Sequence, residues 1–184
     1  MLIYTIGHST HSPEAFIKLL KAVDIEVVVD VRSSPYSEYA PHFNADNIGT
    51  LLSSAGIQYL YLGKELGGRP NDSRFHDDDG YVLYNKLAES PMFKEGISRL
   101  IQGASDYRIA VMCSEAKPDS CHRHLLIARV LAENGQDVSH ILADGSVQPV
   151  SHQMSLFSME EMPGEWKSTQ SVSAKKRHPN SSVY

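Results

Sequence analysis

The chain is poor in cysteine: two in 184 residues, eight positions apart. That excludes the disulfide framework of a small secreted domain. It also lacks a surplus of positive charge. Seventeen Lys and Arg stand against 22 Asp and Glu, a formal net charge of −5, whereas charge-driven coating of nucleic acid needs a basic face. A local basic pocket stays compatible with that balance, so a nucleic-acid partner is open but not through bulk charge. No apolar run reaches the roughly 20 residues of a membrane-spanning helix. The start, MLIYTIGHSTHS, has no basic n-region and meets His8 early. It reads as a first strand, not a signal peptide. These absences predict a soluble, cytoplasmic chain with reduced thiols and no membrane partner. Nothing in them bears on oligomeric state.

What is present alternates between two periods. LIYTIG (2–7), VVVDV (27–31), IQYLYLG (57–63), RIAVMC (108–113) and DVSHIL (137–142) read as strands, and VVVDV is the continuous β-branched run of a strand buried on both faces. Between them lie helical signals. Ser12-Pro13-Glu14 supplies an N-cap, an N1 proline and a first-turn acid. Residues 44–56 end at a glycine, residues 81–104 break near Pro91, and 121–135 ends at Gly135. The pattern predicts one α/β domain over 1–150, a mainly parallel five-stranded sheet with helices on both faces. Residues 151–184 are Ser-rich and read as a partly disordered tail. The irregular segment 63–80, with its glycines, acids and arginines, reads as either a lid or a scaffold loop.

In such sheets ligands bind beyond the carboxyl ends of the strands. The residues there are polar: His8 and Ser9 after the first strand, Asp30 and Arg32 then Ser37 after the second, Gly67-Gly68-Arg69 after the third, Cys113 and Glu115 after the fourth. Each has a plain alternative. Asp30 and Arg32 suit a structural ion pair that closes a loop, the two glycines suit a turn with positive φ, and a strand-end cysteine is commonly a small buried hydrophobe. The coincidence of all of them on one sheet edge carries the functional reading.

The stretch VMCSEAKPDSCHRH (111–124) holds both thiols. With Asp119 or Ser120 as N-cap, Cys121 falls in a first helical turn, where the dipole lowers a thiol pKa. His122 and Arg123 follow, and Arg123 can serve as a fork donor to an anion. A cysteine-phosphatase loop needs an arginine six positions on, and Asp119 and Ile127 stand there instead. A sulfurtransferase loop is interrupted by Pro118 and two acids, and Cys-x-x-Cys is absent. Cys113 and Cys121 with His122 or His124 and His8 make a tetrahedral N/S set conceivable. The paired spacing of structural zinc sites is missing, so no metal is assigned.

YTIGHS, VVVDVRSSPYS, YLGKELGGR and VMCSEAKPDSCHR, in this order across residues 1–145, resemble the domain-of-unknown-function 488 family. The resemblance implies a small α/β domain and names no activity. Its signature positions fall on His8, Ser9, Asp30, Arg32, Ser37, Arg69, Cys113, Glu115, Cys121, His122 and Arg123 among others, the groups the strand ends had already marked. The expectation is an enzyme, hydrolase- or transferase-like, acting on a phosphate-bearing or other anionic substrate such as a nucleotide. His8, Asp30, Glu115 and Cys121 would be catalytic. Ser9, Arg32, Ser37, Arg69, Cys113, His122 and Arg123 would bind substrate. A non-catalytic nucleotide- or metabolite-binding module and a Cys/His redox or metal site are the alternatives; the cofactor stays unknown.

Overall fold

Five parallel strands and one antiparallel edge strand form the sheet of this computed structural model, which describes residues 1–150 and 166–172. The strands are β1 (Leu2–Gly7), β2 (Val27–Asp30), β3 (Gln58–Tyr61), β4 (Ile109–Cys113), β5 (Asp137–Ile141) and β6 (Val147–Pro149), in the order β3-β2-β4-β1-β5-β6. The first five pair in parallel, and β6 turns back on β5. The expected α/β class holds, with one more strand than expected. β6 is three exposed residues ending in a proline, too short and too polar to announce itself by period.

Helices cover both faces, as two separate cores demand. Helices α1 (Pro13–Lys21) and α2 (Ala45–Ser54) bury Phe16, Leu20, Ile48 and Leu52 against Val28, Ala110 and Met112. On the other face lie α3 (Gly63–Leu66), α4 (Tyr84–Glu89), α5 (Pro91–Asp106) and α6 (Arg129–Glu133). They pack Leu66, Phe93, Ile97 and Leu131 against Val27, Val29, Val111 and Cys113. Alternate residues of each central strand thus serve alternate cores, so every position in β2 and β4 is buried. Ser12 accepts from the Ala15 amide at 3.2 Å and Ser90 from the Phe93 amide at 3.3 Å, so Pro13 and Pro91 open α1 and α5 behind side-chain caps.

The region expected as one helix over 121–135 is two things. Arg123–Ala128 forms a wide π-helical segment, and α6 continues from it. Such segments recur beside functional sites. In the tail, Trp166 packs back on the domain. Its Nε1 donates to the Leu125 carbonyl at 2.9 Å, Arg129 stacks 4.3 Å over its ring, and Lys167 bridges to Leu83. The rest of the expected disordered tail lies outside the described residues.

The connection leaving β2 runs through α2 on one face, while that leaving β4 runs through α6 on the other. Neighbouring strands whose connections part in this way leave a crevice at their carboxyl ends. Asp30 ends one strand and Cys113 the other.

Candidate active site

A cavity of ≈ 570 Å³ opens at that crevice. Arg32, Ser33, Ser34, Tyr36, Ser37, Gly68, Arg69, Tyr84, Cys113, Ser114, Glu115 and His122 line it, with Ser168, Thr169 and Gln170 from the docked tail segment as a further wall. A larger space of ≈ 730 Å³ between α4, α5 and α6 holds Glu89, Glu133, Lys94 and Trp166 but no thiol or imidazole. Of the two, the strand-end cavity is the one that carries a thiol and an imidazole.

Six expected site residues line it: Arg32, Ser37, Arg69, Cys113, Glu115 and His122. The others stand behind it. Asp30 is fully buried and grips Arg32, taking Nε at 2.9 Å and Nη2 at 2.6 Å. The Phe43 carbonyl takes a second Nη2 bond at 2.8 Å, and Tyr59 donates to Asp30 Oδ2 at 2.9 Å. Arg32 is 4% exposed. Burial opposes its charge, but the Asp30 hydrogen bonds and field raise its pKa. Asp30 and Arg32 thus form the structural ion pair, buried and holding Arg32 in place.

His8 completes the clamp. Its Nδ1–H donates to the Ser9 carbonyl at 2.9 Å, which leaves Nε2 to accept from Arg32 Nη1 at 3.1 Å. Burial, aided by Arg32, lowers its pKa to about 4. A neutral imidazole with both nitrogens occupied positions the arginine rather than donating a proton. Ser9, at φ 46°, ties its amide to the Ser114 carbonyl at 2.9 Å and is not in the lining.

Stability is expected to fall with acid through the same contact. Above the ordinary histidine pKa of about 6.5, His8 is neutral folded and unfolded. As pH drops, the unfolded chain takes a proton that the folded chain refuses, so the loss begins near 6.5 and is complete below about 4. At about pH 5 this amounts to roughly 2 kcal/mol. His140, its pKa lowered to about 3 chiefly by burial, adds in the same direction. Urea midpoints at about pH 7 and about pH 5 test it. His8→Gln keeps an acceptor for Arg32 and should flatten the dependence; an unchanged slope would remove His8 from the account.

Arg123 does not reach the cavity. It is fully buried, Nη1 donating to the Glu115 carbonyl and Nη2 to the Ala116 carbonyl at 2.9 Å. The expected fork for substrate is instead a clamp on the loop that carries Glu115. Arg123 is the first residue of the π-helical segment.

At the cavity floor four groups meet. Cys113 Sγ donates to Glu115 Oε2 at 2.9 Å and Cys121 Sγ to the same oxygen at 3.2 Å. His122 Nδ1 lies 3.6 Å from Cys113 Sγ and 3.9 Å from Cys121 Sγ, while its Nε2–H donates to the Val31 carbonyl at 3.2 Å. Burial opposes ionisation of Glu115, but the two thiol hydrogen bonds hold its pKa down at about 2. Burial likewise opposes the His122 charge, and the Cys121 contact and the Glu115 carboxylate push its pKa up. The expected lowering of the Cys121 pKa is reversed. The Cys113 sulfur beside it and burial raise it. Cys121 sits just before the helical residues, and at 1% exposure it supports Glu115 from behind the cavity.

Glycines make these approaches possible. Gly67 and Gly68 are absent from the positive-φ positions, so the expected turn role fails. A Cβ on Gly68 would stand 2.5 Å from the His122 ring, and one on Gly67 2.3 Å from the Gly63 carbonyl. Both are there for close contact. Arg69 hangs over the cavity with Nη2 on Gln170 at 3.2 Å. Arg74 is outside, paired with Asp72 at 2.6 Å and largely exposed, so it adds nothing to a lid. Sequence reading missed Tyr84 and the 168–170 wall. The chain's single tryptophan, Trp166, in an otherwise polar tail, was the available signal.

A family model described as a domain of unknown function, DUF488, matches residues 12–131. No curated protein and no solved structure matches the chain.

Proposed function

Since the chain belongs to the DUF488 family, whose name carries no activity, we propose from its own site that it is an enzyme acting on a small phosphate-bearing or otherwise anionic substrate, of the nucleotide class, by hydrolase- or transferase-like acid/base chemistry. One observation carries this reading: two guanidiniums, a ring of hydroxyls and a carboxylate held ionised share a single strand-end cavity. Arg69 and the remaining N–H of Arg32 Nη1 would take the anionic group, with Ser33, Ser34 and Ser37 beside them. Glu115 would be the proton acceptor at the floor. Asp30 and His8 act through Arg32, and Cys121 acts through Glu115, as positioning residues. No helix in the described residues is long and apolar enough to cross a membrane, and we place the protein in the cytoplasm, where both thiols stay reduced.

Native mass spectrometry of freshly purified chain is expected to find a co-purified nucleotide or phosphorylated metabolite. Nucleoside mono- and diphosphates are expected to raise the melting temperature. Arg69→Gln should weaken their binding at least about tenfold, the worth of one charge-assisted hydrogen bond. It should leave the melting temperature of the free protein nearly unchanged, since among the described residues the Arg69 guanidinium bonds Gln170 alone. Glu115→Gln should retain the ligand and lose turnover. A full nucleotide panel without effect would sink the substrate class, and a ligand recovered unchanged after long incubation would make the cavity a binding module.

A further inference from the structure

The two thiols, the imidazole and the carboxylate at the cavity floor have a second property besides acid/base chemistry. The sulfurs of Cys113 and Cys121 and a ring nitrogen of His122 all lie within 4.8 Å of one another. Zinc bound at about 2.3 Å to sulfur and about 2.0–2.1 Å to nitrogen or oxygen in a tetrahedron requires edges of about 3.6 Å between a sulfur and a lighter donor. The structure has 3.6 and 3.9 Å from the two sulfurs to Nδ1, and 2.9 and 3.2 Å from them to Glu115 Oε2. The first pair spans the edges of such a tetrahedron as it stands. The second must open by about 0.7 and about 0.4 Å to reach that edge, a movement the Glu115 side chain can make once the S–H protons that draw the sulfurs to the carboxylate are gone.

The orientation of His122 points the same way. Its Nε2–H is committed to the Val31 carbonyl at 3.2 Å. That fixes the tautomer with a lone pair on Nδ1, on the side of the thiols, and a backbone carbonyl on the far nitrogen is the usual outer partner of a metal-bound histidine. Gly68, against the ring, keeps it there. The other histidines weighed for such a site are spent elsewhere. His124 Nδ1 faces His140 Nε2 at 2.8 Å, and His8 holds Arg32 and the Ser9 carbonyl. The donors are also rigidly mounted. Cys113 ends a strand paired on both sides, and the Cys121 amide is bonded to the Pro118 carbonyl at 2.8 Å.

We propose that Cys113, Cys121 and His122 bind one zinc ion, with Glu115 at the fourth, cavity-facing position. Thiolate and imidazole donors select zinc over the hard cations magnesium and calcium. Binding balances as follows: Zn²⁺ displaces the two thiol protons, the imidazole gives its Nδ1 lone pair, the carboxylate keeps its charge, and no redox partner is needed. Two thiolates and an imidazole, with a displaceable carboxylate in the fourth place, is the donor count of a catalytic zinc, whose fourth position substrate or water takes. Substrate or water that displaced Glu115 would leave its carboxylate beside the metal as the proton acceptor. The inference rests on the same cavity as the proposed function and deepens it. Its test reads metal, not turnover.

Full chain purified without chelator is expected to contain one zinc per chain by elemental analysis. After chelation under reducing conditions, cobalt(II) should restore one equivalent. It should give a near-ultraviolet thiolate-to-cobalt charge-transfer band and intense tetrahedral visible bands, with release of two protons. Cys121→Ser and His122→Ala should lose the tetrahedral spectrum. Circular dichroism reports whether those variants fold. For the unaltered chain, thiols masked toward a thiol reagent and unmasked by chelator give the same answer without any substitution. Metal-free protein with two reduced, freely reactive thiols and no charge-transfer band with cobalt would overturn the proposal. Arg69→Gln separates the two readings: it should bind cobalt as before while losing nucleotide. Cobalt binding with no response to any nucleotide would leave the metal site standing and remove the substrate class.

Discussion

Asp30→Ala is expected to cost about 3–5 kcal/mol, the penalty for stranding one member of a buried ion pair. The carboxylate is fully buried and Arg32 is 4% exposed, its only opening being toward the cavity, so the pair is almost wholly withdrawn from water. Asp30 takes hydrogen bonds from the Arg32 amide, Nε and Nη2 and from Tyr59 Oη. Alanine removes all of them and leaves the guanidinium with one carbonyl and one imidazole as partners. Urea unfolding measures the loss. The double variant Asp30→Ala, Arg32→Leu gives the sharper reading, because removing both charges should recover part of the stability that removing one destroys. If the single variant loses under about 1 kcal/mol, Arg32 has swung out into the cavity, and the clamp described here does not hold it.

Gly7→Ala is expected to cost at least about 3 kcal/mol and to bring disorder at the cavity floor. A Cβ there would lie on the Glu115 carbonyl oxygen, at 1.9 Å, and 2.8 Å from its carbon. The loop cannot step aside. Arg123 holds that same carbonyl, and the His8 and Ser9 amides hold those of Cys113 and Ser114. Glu115 must therefore shift, and its contacts to both thiols go with it. Gly135→Ala is the control. Its φ is 72° and its Cβ would meet nothing within 4 Å, so only the left-handed backbone cost of about 1–2 kcal/mol applies. Comparable losses in the two variants would mean that the floor adapts and that Gly7 is not its keystone.

The sheet was readable because its strands are extreme. VVVDV has no helical period, and the caps at Ser12-Pro13 mark the helix that follows. The site was readable because one rule, that ligands gather at the carboxyl ends of parallel strands, selected Arg32, Cys113 and Glu115 before any geometry was known. What it could not supply was direction. Whether Arg123 faces a cavity or a carbonyl depends on the pitch of the turn that carries it, and a π-helical segment is not encoded by residue type. The glycines at 67–68 look the same in sequence whether they serve a positive φ or a neighbour's ring. Nor does a lone Trp166 in a polar tail declare its contact with Leu125, 41 positions away.

The wall made by Ser168, Thr169 and Gln170 lies outside the span 12–131 that the family model covers, whereas Arg32, Cys113, Glu115, Cys121 and His122 lie inside it. Floor and wall therefore answer to separate stretches of chain. One holds reactive groups by burial and backbone clamps, and tolerates little. The other is held by Trp166, by backbone bonds and by its own hydroxyls, Ser168 Oγ taking the Val82 amide and Thr169 Oγ1 donating to the Ser120 carbonyl, none of which belongs to the clamps. A change in the wall would reshape the cavity from above and leave the clamps beneath it intact. The 166–172 segment is then a part that can be exchanged on this domain without rebuilding its floor.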